Sequence, residues 1–504
     1  MPFLSAVAGA VLLLAQARAP GDSILLRVLS TNDFHGSLES RAQPWSNRRP
    51  VGGAAALSGM MDRLARACAC TTIRLDAGDV MQGSPVSNLT YGRATVAVFN
   101  AMGYAASAVG NHEFDWGVDT LAARVRQARF AWLSSNIRDR TTGLVPSWTA
   151  PWRMITAGRY RIAVVGYSTE ETPSTTRPSN VATLAFDSGA ARLDAAIAAA
   201  RLEHPDYLIV VAHAGAFCSQ ARGCAGEVVD LAGALTNRPD LIVSGHTHSL
   251  IQTTVNGIPI VQARSNGTAL GVVDFVDSAG VRLVRMRVET VWADREPADT
   301  AVARIVQADA ERIAPLTSRV VATLAAPLLR TGDQYPLGNL IADAYRAAAG
   351  TDVALVNNGG IRADLAAGPV TWGQLFEVEP FQNFVVRLRV SGAVLRQTLE
   401  HAVGADDARA HVSGVAVRLN PGAPQGQRVV ALTLTGGRPV LDTAQYSVAV
   451  PDFVAAGGSG YAMLRGIASE NTGIVDLDAF VAYLGRLPQP VQPPQDARVQ
   501  EVGR

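Results

Sequence analysis

No lysine occurs in this 504-residue chain: all 44 basic residues are arginine. That excludes chemistry resting on a lysine amine, such as a Walker A phosphate loop, a Schiff base or a Ser-x-x-Lys acyl-enzyme. No Gly-x-Gly-x-x-Gly follows a strand-like run, which disfavours a dinucleotide-binding fold. Charge of one sign is not in excess either. With 43 acidic residues the net charge is +1, so no global field points toward nucleic acid or an anionic membrane. Cysteines number four, and neither pair has the spacing of a four-cysteine zinc site. Cys218 and Cys224 bracket a short loop that a disulfide could close in an oxidising compartment. Cys68 and Cys70 stand only two apart, where a mutual bridge would be strained, so free thiols or another pairing stay open. Long apolar runs are also missing. The run from Phe3 to Leu14 is shorter than the roughly 20 residues of a membrane span. Followed by Ala15-Gln16-Ala17, it suits a signal-peptide core, although no basic residue precedes it. Residues 1–19 are therefore expected to direct export, to the periplasm or outside the cell.

What is present is an alternation of buried-strand runs with alanine-rich helical stretches. Ile24–Leu29, Ile162–Val165, Leu208–Val211 and Leu241–Val243 read as strands covered on both faces. Val118–Ala128 and Ala190–Leu202 read as helices. The fold class is α/β (α+β), and the length predicts two or three domains. A break at Asp294–Asp299 precedes a helix carrying Val302, Ile305, Val306 and Ile313, with Asp299 as its cap; standing free, it would connect two domains. A second α/β segment follows, with a helix over Leu337–Ala349 and a strand over Val353–Val356. The expected division is 23–294, a linker helix at 295–315, 316–487, and a Pro-rich tail at 488–504 without helix or strand pattern.

Five polar motifs sit at the ends of strand-like runs. They are Asp33-Phe34-His35, Gly78-Asp79, Gly110-Asn111-His112-Glu113-Phe114-Asp115, His213 and Gly245-His246-Thr247-His248. Extended backbone would point Asp33 and His35 to one side, and likewise His246 and His248. A lone Gly-Asp or Asn-His is more often a turn or a cap. Five such motifs at carboxyl ends of strands are different, because ligand sites of open α/β sheets gather at that edge.

This ordered set resembles the calcineurin-like metallophosphoesterase superfamily. The resemblance implies an N-terminal four-layer β-sandwich flanked by helices, holding two divalent metal ions. One ion would be held by Asp33, His35, Asp79 and His248, the other by Asp79, Asn111, His213 and His246. Nitrogen and oxygen ligands without sulfur suit Mn, Zn, Fe or Co. His112 would stabilise the phosphoryl transition state or protonate the leaving oxygen, and Asp115 would orient its ring. The alternative for Asp115 is a cap before Trp116-Gly117.

The C-terminal half carries Pro336-Leu337-Gly338-Asn339, Asn357-Asn358-Gly359-Gly360-Ile361-Arg362, Glu379-Pro380-Phe381 and Pro451-Asp452-Phe453. These look like the substrate domain of secreted bacterial 5′-nucleotidases. The resemblance implies a smaller α/β domain in which Arg362 forks onto phosphate, Asn357 bonds base or sugar, and Phe381 and Phe453 stack on the base. It also implies that the two domains swing relative to one another. Arg330 lies one position off the spacing of a second phosphate-binding arginine, and Ser459 stands where an aspartate often binds ribose. The expected reaction is dimetal-dependent hydrolysis of 5′-nucleotides to nucleoside and phosphate, on a small-molecule substrate and not a nucleic-acid polymer. Alternatives are 2′,3′-cyclic-nucleotide phosphodiesterase, UDP-sugar hydrolase or thiosulfohydrolase activity. In a different class stands a secreted nucleotide-binding protein with structural metals.

Overall fold

The computed structural model describes residues 23–219, 221, 223–278, 281–404 and 410–502. The expected signal peptide, residues 1–19, lies outside them.

Two six-stranded sheets face one another in the N-terminal half. In the first, Ser23–Thr31, Thr71–Asp76, Ala106–Ala108 and Ala131–Leu133 run parallel, and the antiparallel pair Ala269–Ser278 and Val281–Thr290 extends it beyond Ser23–Thr31. In the second, Tyr160–Ser168, Tyr207–His213, Leu241–Ser244 and Ile258–Ala263 run parallel, with antiparallel strands at both edges. Side-chain alternation explains the layering. Along Tyr207–His213, Tyr207, Ile209 and Val211 join the core between the sheets, together with Leu26, Val28, Leu75 and Val164. Leu208, Val210 and Ala212 turn outward onto the helices Ala191–Arg201 and Glu227–Ala234. The first sheet is covered in the same way by Ala54–Arg66 and Arg93–Met102. Both faces of each sheet are thus apolar, which is why these strands read as continuous hydrophobic runs. The expected four layers, helix–sheet–sheet–helix, are present.

The linker helix spans Thr300–Thr317, capped by the Asp299 carboxylate, which accepts from the amides of Ala301 and Val302. It is not free-standing. Val302 and Val306 enter the first domain's core, and Asp309, buried there, pairs with Arg93 at 2.9 Å. An amphipathic helix with an apolar stripe has to bury it, and the nearest uncovered surface is the sandwich it leaves.

The C-terminal half is built on a five-stranded mixed sheet, ordered Ala410–Ser413, Val353–Asn357, Gln445–Pro451, Phe384–Ser391 and Ser469–Val475. Pro336–Ala349 and Asp476–Arg486 cover one face; Gly392–Leu399 and a small three-stranded sheet cover the other. The tail differs from expectation. Val491 is buried in this domain's core, Val499–Glu501 adds a parallel strand beside Val415–Leu419, and Arg498 clamps Asp343 at 2.8 Å. A three-residue edge strand held by one arginine leaves no periodicity to read.

Both cysteine pairs are disulfides. Cys218–Cys224 joins two paired short strands as expected. Of the pairings left open for Cys68 and Cys70, the structure has the mutual one: they bond to each other in the turn after Ala54–Arg66, their Cα atoms 5.1 Å apart.

Candidate active site

All five motifs meet at the carboxyl edges of the two sheets. The first correction concerns how they get there. Asp33, His35, Asp79, His246 and His248 do not lie on extended backbone; all five have positive φ, between 49° and 79°. Each follows its strand into a tight left-handed turn, so strand alternation is not what aims these side chains. Non-glycine residues held in this region cost on the order of 1–3 kcal/mol each, a strain that recurs at functional sites. The turns are pinned by long-range bonds. The buried Glu113 carboxyl accepts from the amides of Asp79, Val80 and Gly110, each at 2.8 Å, tying the second motif to the third. Gly110 must lack a side chain, since a Cβ there would come within 2.2 Å of the Asp79 carboxylate.

The donors converge in two overlapping groups, Asp33 with His35 and His248, and Asp33 with Asp79 and His213. Backbone carbonyls fix the tautomers. His35 Nδ1 donates to Gln82 O at 2.8 Å and His213 Nδ1 to Ala77 O at 2.8 Å. Both Nε2 atoms therefore turn lone pairs inward when the rings are neutral. There His35 Nε2 meets His248 Nε2 at 3.0 Å, and His213 Nε2 meets Asn111 Oδ1 at 3.0 Å and Asp79 Oδ2 at 3.2 Å. Acceptor facing acceptor is repulsive unless a proton or cation lies between them. This donor set, oxygen and imidazole without sulfur, fits divalent cations.

The surrounding charges agree. Burial pushes the Asp33 and Asp79 carboxyls up, but neighbouring histidines overcome it and hold both below the usual carboxylate range. Burial likewise opposes charge on His213, yet Asp79 and Asp33 raise it to about 10. Asp33 and Asp79, kept ionised in this way, form an electrostatic seat for cations, while burial raises the Glu113 and Asp76 carboxyls behind them to about 8 and about 7. His246 departs from expectation in part. Its ring packs 5.1 Å from that of His213, but its Nε2 reaches Glu171 Oε2 at 3.0 Å, and it joins neither donor group.

His112 lies beside this cluster. Its amide donates to Asp79 Oδ1 at 2.9 Å, and its Nδ1 meets Asp115 Oδ2 at 2.8 Å. Asp115 is held in turn by the Thr176 hydroxyl at 2.8 Å, so it orients the ring as well as ending the short helical turn His112–Phe114. Burial disfavours the imidazolium, but Asp115 and Asp79 outweigh it and raise the His112 pKa.

The C-terminal domain closes over the cluster. A guanidinium nitrogen of Arg362 stands 3.4 Å from His35 Nε2, and the Phe381 ring lies 5.3 Å from that of His112, nearly parallel to it. Asn88 donates to Pro380 O at 2.9 Å, Arg41 pairs with Glu377, and Arg177 reaches Asp452 at 3.4 Å, all across the domain boundary. One cleft of about 200 Å³ brings together Asp79, Asn111 and His112 with all four expected substrate residues, Asn357, Arg362, Phe381 and Phe453. Ser459 lines it too, within 3.3 Å of the Asn357 amide. Arg330 is placed differently. Its guanidinium bonds Asp364 at 3.2 Å and Ile361 O at 3.0 Å, and it lines a second cleft of about 350 Å³ on the far side of His35, His248 and Arg362.

Sequence reasoning missed Glu113 as the link between loops, Thr176 behind Asp115, and Glu171 on His246. Glu113 had a signal, being inside a motif already singled out. Thr176 and Glu171 are ordinary loop residues until the chain folds.

Comparison with known proteins agrees with this geometry. The family profile described as "Calcineurin-like phosphoesterase" matches residues 26–250, and "5'-nucleotidase, C-terminal domain" matches residues 319–466. The chain is 29% identical to "Endonuclease YhcR" of Bacillus subtilis over 96% of its own length, but spans only 41% of that protein. It is 26% identical to a 5'-nucleotidase of Vibrio cholerae, covering 95% of this chain and 94% of the other. Among solved structures, a 5'-nucleotidase precursor from Thermus thermophilus superposes with a TM-score of 0.84 at 28% identity, covering 95% of this chain and 99% of that one.

Proposed function

The chain belongs to the family of metal-dependent phosphoesterases that joins a calcineurin-like phosphoesterase domain to a 5′-nucleotidase C-terminal domain, and on that premise we propose that it hydrolyses the phosphate monoester of 5′-nucleotides. One observation carries the reading: a single cleft gathers the candidate cation donors Asp79, Asn111, His246 and His248 with His112 and Arg362, and with Phe381, Phe453 and the Asn357 amide. That is the layout of a phosphate joined to a nucleoside.

The Asp33–His35–His248 and Asp79–Asn111–His213 sides would each hold a divalent cation, with His246 completing the second once it releases Glu171. When bound, such ions neutralise phosphoryl oxygens and lower the pKa of water. The chain's own groups do the rest. Arg362 forks onto the phosphate and sets it in line. His112, whose pKa Asp115 and Asp79 raise against burial, would give its Nε2 proton to the departing 5′-oxygen. Phe381 and Phe453 take the base, and Asn357 with Ser459 the sugar. Arg362, anchored on the second domain, touches His35 of the first, which supports a cycle in which the domains part to exchange substrate and close to react. The division at 23–294, 295–315 and 316–487 is retained for this cycle, with the packed tail added to the second unit. The two disulfides support an oxidising, exported location.

A second reading has an observation of its own. The 350 Å³ cleft beyond Arg362 gives room for a group attached to the far side of the scissile phosphate, as in a UDP-sugar or another diester. Phosphate release from 5′-AMP by Mn²⁺-loaded protein tests the first reading, with UDP-glucose and a 2′,3′-cyclic nucleotide alongside. AMP should be the best of the three. Turnover confined to UDP-glucose or the cyclic nucleotide would transfer the assignment to the diester reading.

A further inference from the structure

Away from the metal pole, three acids adjoin the loops that carry the cleft residues Phe381, Asn383 and Phe453. Glu379 and Asp476 are each 2% exposed, and Asp452 immediately precedes Phe453. They bracket the loop that carries Phe381. At its start, one Glu379 oxygen takes the Tyr345 hydroxyl, while the other is buried with no partner. At its end, Asn383, which itself lines the cleft, donates its backbone and side-chain N–H groups to Asp476 at 3.0 and 3.1 Å. Among the described residues no arginine or histidine pairs with Glu379 or Asp476; Arg177 of the other domain reaches only Asp452. Two carboxyls buried at the two ends of one short loop, with no cation paired to either among the described residues, resist ionising together at neutral pH.

The bonds favour Glu379 over Asp476 as the acid that keeps a proton. Asp476 accepts three N–H donors, from Asn383 twice and from Leu477 at 2.7 Å, and it opens the helix Asp476–Arg486, whose amino end favours an anion. Glu379 has one hydroxyl donor and an orphan oxygen, and it ends the helix Trp372–Val378, where the dipole opposes negative charge. We propose that Glu379 and Asp476 form a proton-holding clamp: a proton retained by Glu379 lets the two acids sit together under the loop, and its release to solvent displaces Phe381 and Asn383 from the nucleoside cleft. The electrostatics run the same way. Burial and then Asp476 raise the Glu379 pKa well above the carboxylate range, and burial lifts Asp476 to about 7. Burial also raises Asp452, with Arg177 pulling it back, while burial and these acids keep the Tyr345 phenol protonated. Because the folded-state pKa of Glu379 lies above its unfolded value, the clamp is complete at low pH and is lost as pH rises through the folded pKa. Among the described residues the cation paired with this group is Arg177, which reaches Asp452 from the other domain at 3.4 Å.

Glu379 is thus a positioning residue, and the claim rests on the nucleotide reading for its kinetic half. Steady-state KM for AMP, measured with metal-loaded protein from pH 6 to 10, should rise several-fold on the alkaline side for wild type and stay flat for Glu379→Gln, whose amide stays neutral. Asp476→Asn removes the like charge and should move the step to lower pH. Infrared difference spectra of wild type minus Glu379→Gln should show a protonated carboxyl carbonyl band at pH 7 that is lost on the alkaline side. This band is read without substrate, so a protein silent on nucleotides would sink the functional reading while still deciding the clamp. Absence of the band at pH 7, or superimposable KM profiles for wild type and Glu379→Gln, would overturn the proposal. So would a step that Asp476→Asn leaves in place.

Discussion

Two pairs of buried acids, Asp33 with Asp79 and Glu379 with Asp476, are treated in opposite ways. At the metal pole Asp33 and Asp79 are surrounded by histidines and held ionised, below the usual carboxylate range. At the nucleoside pole Glu379 and Asp476 are equally buried, have no arginine or histidine partner among the described residues, and are pushed up. Burial alone drives both pairs toward neutrality; the neighbours decide. A buried carboxylate is held ionised where neighbouring histidines outweigh its burial, as at Asp33 and Asp79, and is pushed toward its protonated form where burial prevails, as at Glu379.

The comparison breaks most visibly if the metal pole is neutralised. Asp79→Asn should cost several kcal/mol of transition-state stabilisation, roughly three decades in kcat. It should also weaken metal uptake, measured by metal content after dialysis. His112→Ala should follow, with about 10²–10⁴ lost from kcat and little change in KM. The pH profile sharpens the point. Since Asp115 raises the His112 pKa, the protonated ring is lost only as pH climbs past that raised value, and Asp115→Asn should move the alkaline fall of kcat to lower pH. Arg362→Ala removes charge-assisted bonds worth about 1.5–3 kcal/mol each, so kcat/KM for AMP should fall at least tenfold. At the nucleoside pole Phe453→Ala should lose about 1–3 kcal/mol of stacking, read almost wholly in KM. The smallest effect belongs to Arg177→Ala: the Arg177–Asp452 pair is partly exposed and worth under about 1 kcal/mol, so Tm should barely shift.

Much of the metal pole was legible in the sequence, because its ligands come in short motifs at the ends of apolar runs and the parallel sheets bring those ends to one edge. The geometry of delivery was not. Period-two alternation placed Asp33 with His35 on one side of a strand, whereas left-handed turns at both residues aim them. The nucleoside pole was legible only by resemblance. Glu379, Asp452 and Asp476 are far apart in sequence, and nothing local says that Asn383 would bond Asp476 or that Arg177 of the other domain would pair with Asp452. The same limit hid the packed tail, where Arg498 and three residues of edge strand act through distant partners, and the docking of the linker helix, whose apolar stripe was visible but whose receiving surface was not.

The measurement that bears most directly on this account is AMP hydrolysis by metal-stripped protein titrated with Mn²⁺ or Zn²⁺, with bound metal counted at each point. The account predicts no turnover without metal, full activity as occupancy approaches two ions per chain, and no such recovery in Asp79→Asn. Folded protein carrying two ions yet silent on every nucleotide, or stripped protein that keeps full activity, would contradict it.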